Sequence, residues 1–123
     1  IIMAIAELPK IPRNLYERVE MVGSQAVPGA ATEMSDTDWL ILTYDRGALL
    51  SHLQEEGYEN RSGDYYPMKD FVSLRKGMAN ILVVWEESYF SRFMDACALA
   101  KRLKLMDKEH RVILHKYILY GNL

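Results

Sequence analysis

Apolar side chains recur along this chain with two periods, and the switches between them mark its elements. Pro9 and Pro12 interrupt the sequence near its start, and from Asn14, a suitable N-cap, Leu15, Val19 and Val22 fall on one side of a predicted helix. Trp39-Leu40-Ile41-Leu42-Thr43 is apolar or β-branched and bounded by polar residues, the pattern of a short buried strand. Leu49, Leu50 and Leu53 then return to helical spacing over Ala48–Gly57, with Gly57 where a C-terminal glycine belongs. Tyr58 to Asp70 reads as a loop with a short strand at Asp64-Tyr65-Tyr66. Phe71–Arg75 and Asn80–Trp85 are two strand-like runs separated by Lys76-Gly77-Met78-Ala79, which predicts a hairpin.

The last third is helical. Phe90, Phe93, Met94, Cys97 and Ala100 recur at three-and-four spacing between Tyr89 and Leu105, with Ser88 as cap and Lys101, Arg102 and Lys104 at the C-terminal end. Asp107 can cap a final helix with Val112, Ile113, Tyr117 and Ile118 inward and Lys108, Arg111 and Lys116 outward. The order helix, strand, helix, hairpin, helix, helix predicts an α/β (α+β) protein, a small mixed sheet covered by helices.

Length and charge narrow this picture. The 123 residues suit one domain, 1–123, and a net charge of −2 gives no whole-chain field that would gather nucleic acid or an anionic membrane. A single cysteine, Cys97, sits between alanines as a core filler and fits a reducing compartment. No apolar run approaches the ~18 residues of a membrane span, and Ile1–Ala6 is too short for a signal peptide, so a cytoplasmic protein is expected.

The candidate chemistry lies in Val22–Thr43. Asp36 and Asp38, two apart at the entry to the predicted strand, point to the same face. Two adjacent carboxylates repel unless a cation or basic group lies between them, and hard oxygen ligands suit Mg²⁺. Gly23 and Ser24, upstream, offer backbone N–H groups and a hydroxyl to a phosphate. An isolated Asp-x-Asp is commonly just a solvated strand entry; the surrounding residues are what change its meaning.

Gly-Ser, a small-residue helical run, Ser-Asp-x-Asp and an apolar strand, at Gly23, Ser24, Ala26, Gly29, Ser35, Asp36 and Asp38, resemble the nucleotidyltransferase superfamily that includes polymerase β and the minimal nucleotidyltransferases. One residue, Pro28 or a neighbour, is extra. A looser resemblance to small phage-encoded members rests on FxSxRKGxxN from Phe71 to Asn80 and ALAKRLKLMDKEHR from Ala98 to Arg111.

The resemblance implies the nucleotidyltransferase fold and transfer of a nucleoside monophosphate, AMP from ATP, to a protein or nucleic-acid hydroxyl. It implies Asp36 and Asp38 as catalytic ligands of Mg²⁺ or Mn²⁺, and Gly23, Ser24 and Ser35 at the nucleotide. A third acid is expected on the strand after the hairpin, where this chain carries Asn80; Asp70, Glu86 and Glu87 are the other candidates. An amide has no charge and cannot act as a base. The alternative is therefore a degenerate member that keeps the fold and binds a nucleotide or a partner protein. Arg75, Lys76, Lys101, Arg102, Lys104, Lys108 and Arg111 offer a phosphate-facing surface, and Tyr58, Tyr65, Tyr66 and Trp85 are candidates for base stacking. Small members act as homo-oligomers or with a partner protein, so either is expected here.

Overall fold

A computed structural model describes residues 7–31, 35–61 and 70–121. Among these residues, five strands form one mixed sheet in the order β1-β2-β5-β4-β3: β1 Arg18–Val22, β2 Thr37–Leu42, β3 Glu59–Asn60, β4 Phe71–Lys76 and β5 Ala79–Val84. The described residues also form the helices α1 Arg46–Glu55, α2 Glu87–Arg102 and α3 Lys108–Tyr120. Only β2 and β5 run parallel; the other neighbours are antiparallel. The mixed α+β architecture with a helical C-terminal third agrees with the apolar pattern.

Period-two alternation divides the core between the two faces of the sheet. Leu40 and Leu42 of β2 join Val22, Phe71 and Val84 against Tyr89, Phe90 and Phe93 of α2 and Leu119 of α3. Ile41, between them, turns to the other face and packs with Leu74, Ile81 and Val83 against Leu49 and Leu53 of α1. The helix pair therefore covers one face and α1 the other.

Local chemistry fixes the connections. The Thr43 hydroxyl donates to the Leu15 carbonyl at 2.8 Å and accepts from the Asp45 backbone N–H at 3.0 Å. Asp45 then caps α1 by accepting from the Ala48 N–H at 3.2 Å. The hairpin turns at Gly77, φ +59°, in the left-handed region that glycine adopts freely. As expected, Asp107 caps α3, accepting from the Glu109 N–H at 2.9 Å.

Several expectations change. No helix starts at Asn14: Arg13–Leu15 is one 3₁₀ turn, and Arg18–Val22 is a strand antiparallel to β2. Arg-Val-Glu-Met-Val also alternates with period two, and pairing with the free edge of β2 satisfies backbone groups that a short helix would leave to water. β2 begins at Thr37, two residues before the apolar run, because the Thr37 N–H reaches the Met78 carbonyl at 2.8 Å. α2 starts at Glu87, so Ser88 lies within it, and Glu86 at the cap makes no side-chain cap bond. On α3, Ile113 and Tyr117 are exposed, and His115 and Leu119 face the core instead. The proposed strand at residues 64–66 lies outside the described residues. Among the described residues, no helix is long and apolar enough to cross a membrane.

Ile81 is fully buried in the α1-facing core. Ile81→Ala should cost about 2–5 kcal/mol of unfolding free energy, whereas exposed Ile113→Ser should change it by no more than about 0.5 kcal/mol. Urea denaturation of both variants measures the contrast.

Candidate functional site

The alternation that sorts the core also gathers the polar residues. Asp36 and Asp38 lie in register with Leu40 and Leu42, and so face the helix pair. Asn80 precedes Leu82 and Val84 on the same face of β5, and Ser73 and Arg75 follow Phe71 on β4. Backbone pairing places Val22 opposite Asp38, Asp38 opposite Asn80, and Asn80 opposite Arg75. A single row thus crosses four strands, and it forms the floor of a cavity of about 550 Å³ walled by α2 and α3.

Gly23 and Ser24 open a 3₁₀ turn, Gly23–Ala26, directly after β1, and both line the cavity, as does Ser35. Gly23 has φ +73°, and a Cβ there would lie 2.1 Å from Asp38 Oδ2. Only glycine permits this approach of backbone to carboxylate. The small-residue run does not continue as a helix. Val27-Pro28-Gly29-Ala30 closes a turn by a 3.0 Å bond from the Ala30 N–H to the Val27 carbonyl, with Gly29 at φ +80°. Proline second and left-handed glycine third is the type II pattern, so a tight turn absorbs the extra residue.

Both carboxylates have protein partners. Arg75 forms an ion pair with Asp36. The Asn80 amide donates to Asp38 Oδ1 at 3.1 Å, while its own oxygen accepts from the Ser73 hydroxyl at 2.9 Å. Burial is the main reason that Asp38 is raised from its usual range to about 6; the neighbouring Asp36 adds to the rise, while Asn80, Arg75 and Lys108 oppose it.

Asn80, the residue weighed for the third-acid position, stands beside the acid pair. Glu86 and Glu87 are not brought in: they are exposed beyond the opposite end of β5, six or seven residues on and roughly 20 Å away at strand spacing. Asp70 stays at the hairpin entry, outside the cavity lining. Of the basic candidates for a phosphate-facing surface, Arg75, Lys108 and Arg111 line the cavity; Lys108 is exposed, as expected, and Arg111 is half-buried. Lys76 instead donates to the Glu56 carbonyl at 2.7 Å, and Lys101, Arg102 and Lys104 are exposed away from the lining. Neither described aromatic candidate reaches the site. Tyr58 is buried in the α1-facing core, and Trp85 lies under the Arg46 guanidinium at 4.1 Å. Tyr65 and Tyr66 are outside the described residues.

Four polar or ionisable lining residues had no site role in the sequence reading: Arg61, Ser73, Cys97 and His115. Ser73 stood inside the FxSxRKGxxN motif without a role. His115 Nδ1 lies 2.9 Å from the Arg111 carbonyl, which can only accept, so Nδ1 carries the proton and Nε2 accepts from the Cys97 thiol at 3.6 Å. Burial lowers the His115 pKa and pushes the Cys97 thiol up to about 12. Cys97 is thus a neutral thiol in the cavity wall.

The donor set does not fit a two-metal centre. Among the described residues, no group of three or more His, Cys, Asp or Glu side chains is placed to hold a metal ion. Asn80 turns its N–H toward Asp38 and its oxygen toward Ser73, and a cation at Asp36 would have to displace Arg75.

No protein-family model matches the sequence, and no curated protein does. Among solved structures, the conserved protein GrpB from Enterococcus faecalis shares the fold, with a TM-score of 0.54 at 18% identity over 89% of this chain and 84% of that chain. At that identity the likeness is one of fold.

The burial of Asp38 sets a pH dependence. Between about pH 4 and 6 the native state keeps a proton that the unfolded chain has lost, so stability falls as pH rises through that window. Above it the charged form costs up to about 3 kcal/mol. Asp38→Asn should therefore be more stable than the parent above about pH 7 and converge with it below about pH 4, measured by thermal unfolding across pH.

Proposed function

We propose that this chain is a nucleotidyltransferase-fold protein that binds a nucleoside triphosphate, ATP in the first instance, in the cleft between the sheet and the α2–α3 pair. What carries the reading is convergence. The Gly23-Ser24 bend, Ser35, Asp36, Asp38 and Asn80, spread over 58 positions of sequence, border one cavity large enough for a nucleotide. In this reading the bend meets the phosphates with backbone N–H groups and the Ser24 hydroxyl. The basic groups of β4 and α3 face them from the other side.

A second reading, transfer of AMP to a protein or nucleic-acid hydroxyl, is favoured by the placement of Asp36 and Asp38 beside the bend. It needs Mg²⁺ or Mn²⁺ on carboxylates that already have protein partners, and it lacks the charge of a third acid. Binding without efficient transfer is therefore the better-supported function. The acceptor, or a partner protein or second copy that completes the site, belongs to the transfer reading.

Calorimetric titration with ATP in magnesium buffer tests the binding role. The parent protein should bind, and Gly23→Ala, which drives a methyl group against Asp38, should weaken binding by more than about tenfold while circular dichroism shows a folded chain. Incubation with α-phosphate-labelled ATP and a cell lysate tests transfer. Label on protein or RNA above that given by the Asp36→Ala/Asp38→Ala variant would establish the enzyme and overturn the preference for binding alone.

A further inference from the structure

We infer that the cleft takes the polyphosphate as a metal-free anion, with the Arg75 guanidinium standing where a divalent cation would otherwise sit. The inference rests on the nucleotide-binding reading and concerns how the phosphate charge is met.

Three observations carry it. The first is the cross-strand row. An acid centre that gathers metal ions needs carboxylates on adjoining strands, but here the row runs from Asp38 to a neutral amide, Asn80, and on to a cation, Arg75. Arg75 on β4 reaches across β5 to pair with Asp36, putting positive charge against the first acid.

The second is the charge of the lining. Among the described residues, Arg61, Arg75, Lys108 and Arg111 line the cavity with Asp36 and Asp38, and Arg61 also pairs with Glu59 at 3.7 Å, outside the lining. An acid-rich centre repels phosphate until metal ions reverse its sign; this lining has a cationic excess already. The Arg111 charge is held on the wall because its Nη1 donates to the Leu105 and Met106 carbonyls at 3.0 and 2.6 Å.

The third is the orientation of the two polar partners. Asn80 presents N–H to Asp38 and turns its oxygen to the Ser73 hydroxyl, so the amide tethers the carboxylate and directs a donor, not an oxygen, at the acid. Arg75 uses Nη2 for Asp36, while a guanidinium carries five N–H donors in a planar fork suited to phosphate. Asp36 accordingly acts as a positioning residue that aims Arg75, a role opposite to that of a metal ligand.

The test is calorimetric titration of the full chain with ATP in EDTA and, separately, in excess magnesium. Binding in EDTA should lie within about threefold of that in magnesium and should weaken as salt rises, as expected of exposed ionic contacts. Arg75→Ala should weaken binding in EDTA by about tenfold or more. Asn80→Asp, which restores a third carboxylate without changing side-chain size, should weaken binding in EDTA and make it respond to magnesium. ATP binding by the parent only in magnesium would overturn metal independence, and unchanged binding in EDTA by folded Arg75→Ala would overturn the role of Arg75; either result leaves the nucleotide reading standing. No ATP binding in either buffer would remove both.

Discussion

The parallel pairing of β2 with β5 is the constraint on which the site depends. It sets Asp38 opposite Asn80, and the antiparallel return of β4 then brings Arg75 opposite Asn80. Because strand side chains alternate, a slip of one residue would turn the acids toward Leu49 and Leu53 of α1 and expel Ile41 and Ile81 from their core. Burying two carboxylates among apolar groups is costly enough to exclude that register. Core packing and site geometry are therefore set by the same alternation.

Within that frame, each charge is met by a neighbour of a different kind. Asp38 is deeply placed, with Gly23 pressed against one oxygen and the Asn80 amide on the other. The amide partly offsets the loss of water, and the remaining penalty appears as a raised pKa. Asp36, more open, is met by a full charge from Arg75. The result is a cleft whose acids are already compensated by protein groups. On the reading proposed above, that compensation favours an anion over a centre that gathers metal ions.

The helix pair closes the cavity by packing and by polar contacts. Tyr89 and Tyr120 share a 2.7 Å hydroxyl bond between α2 and α3, and the Phe93 ring meets His115 edge-on at 5.0 Å. The Cys97–His115 contact bridges the same two helices at the cavity wall. These contacts explain why α3 is rotated to turn His115 and Leu119 inward and leaves Ile113 and Tyr117 exposed.

Much of the fold was legible in the chain itself. The hairpin, the β2 apolar run, α1 and the two C-terminal helices follow from local periods and caps such as Asp107. The acid pair and the glycine-serine bend were legible too, since spacing alone puts Asp36 and Asp38 on one face. Three things were decided only by tertiary structure. Arg18–Val22 became a strand because the edge of β2 was available to pair with it, a fact no local period contains. The inward face of α3 was chosen by fit against Phe93 and Cys97, since an apolar stripe that is not sharply one-sided leaves its rotation open. Which charges meet in the cleft was likewise invisible. Asn80 and Arg75 meet the aspartates only across hydrogen-bonded strands, and Lys108 and Arg111 reach the cavity only because α3 folds back over the sheet. Side-chain type and local spacing are properties of the sequence, whereas which charge neutralises which is a property of strand order.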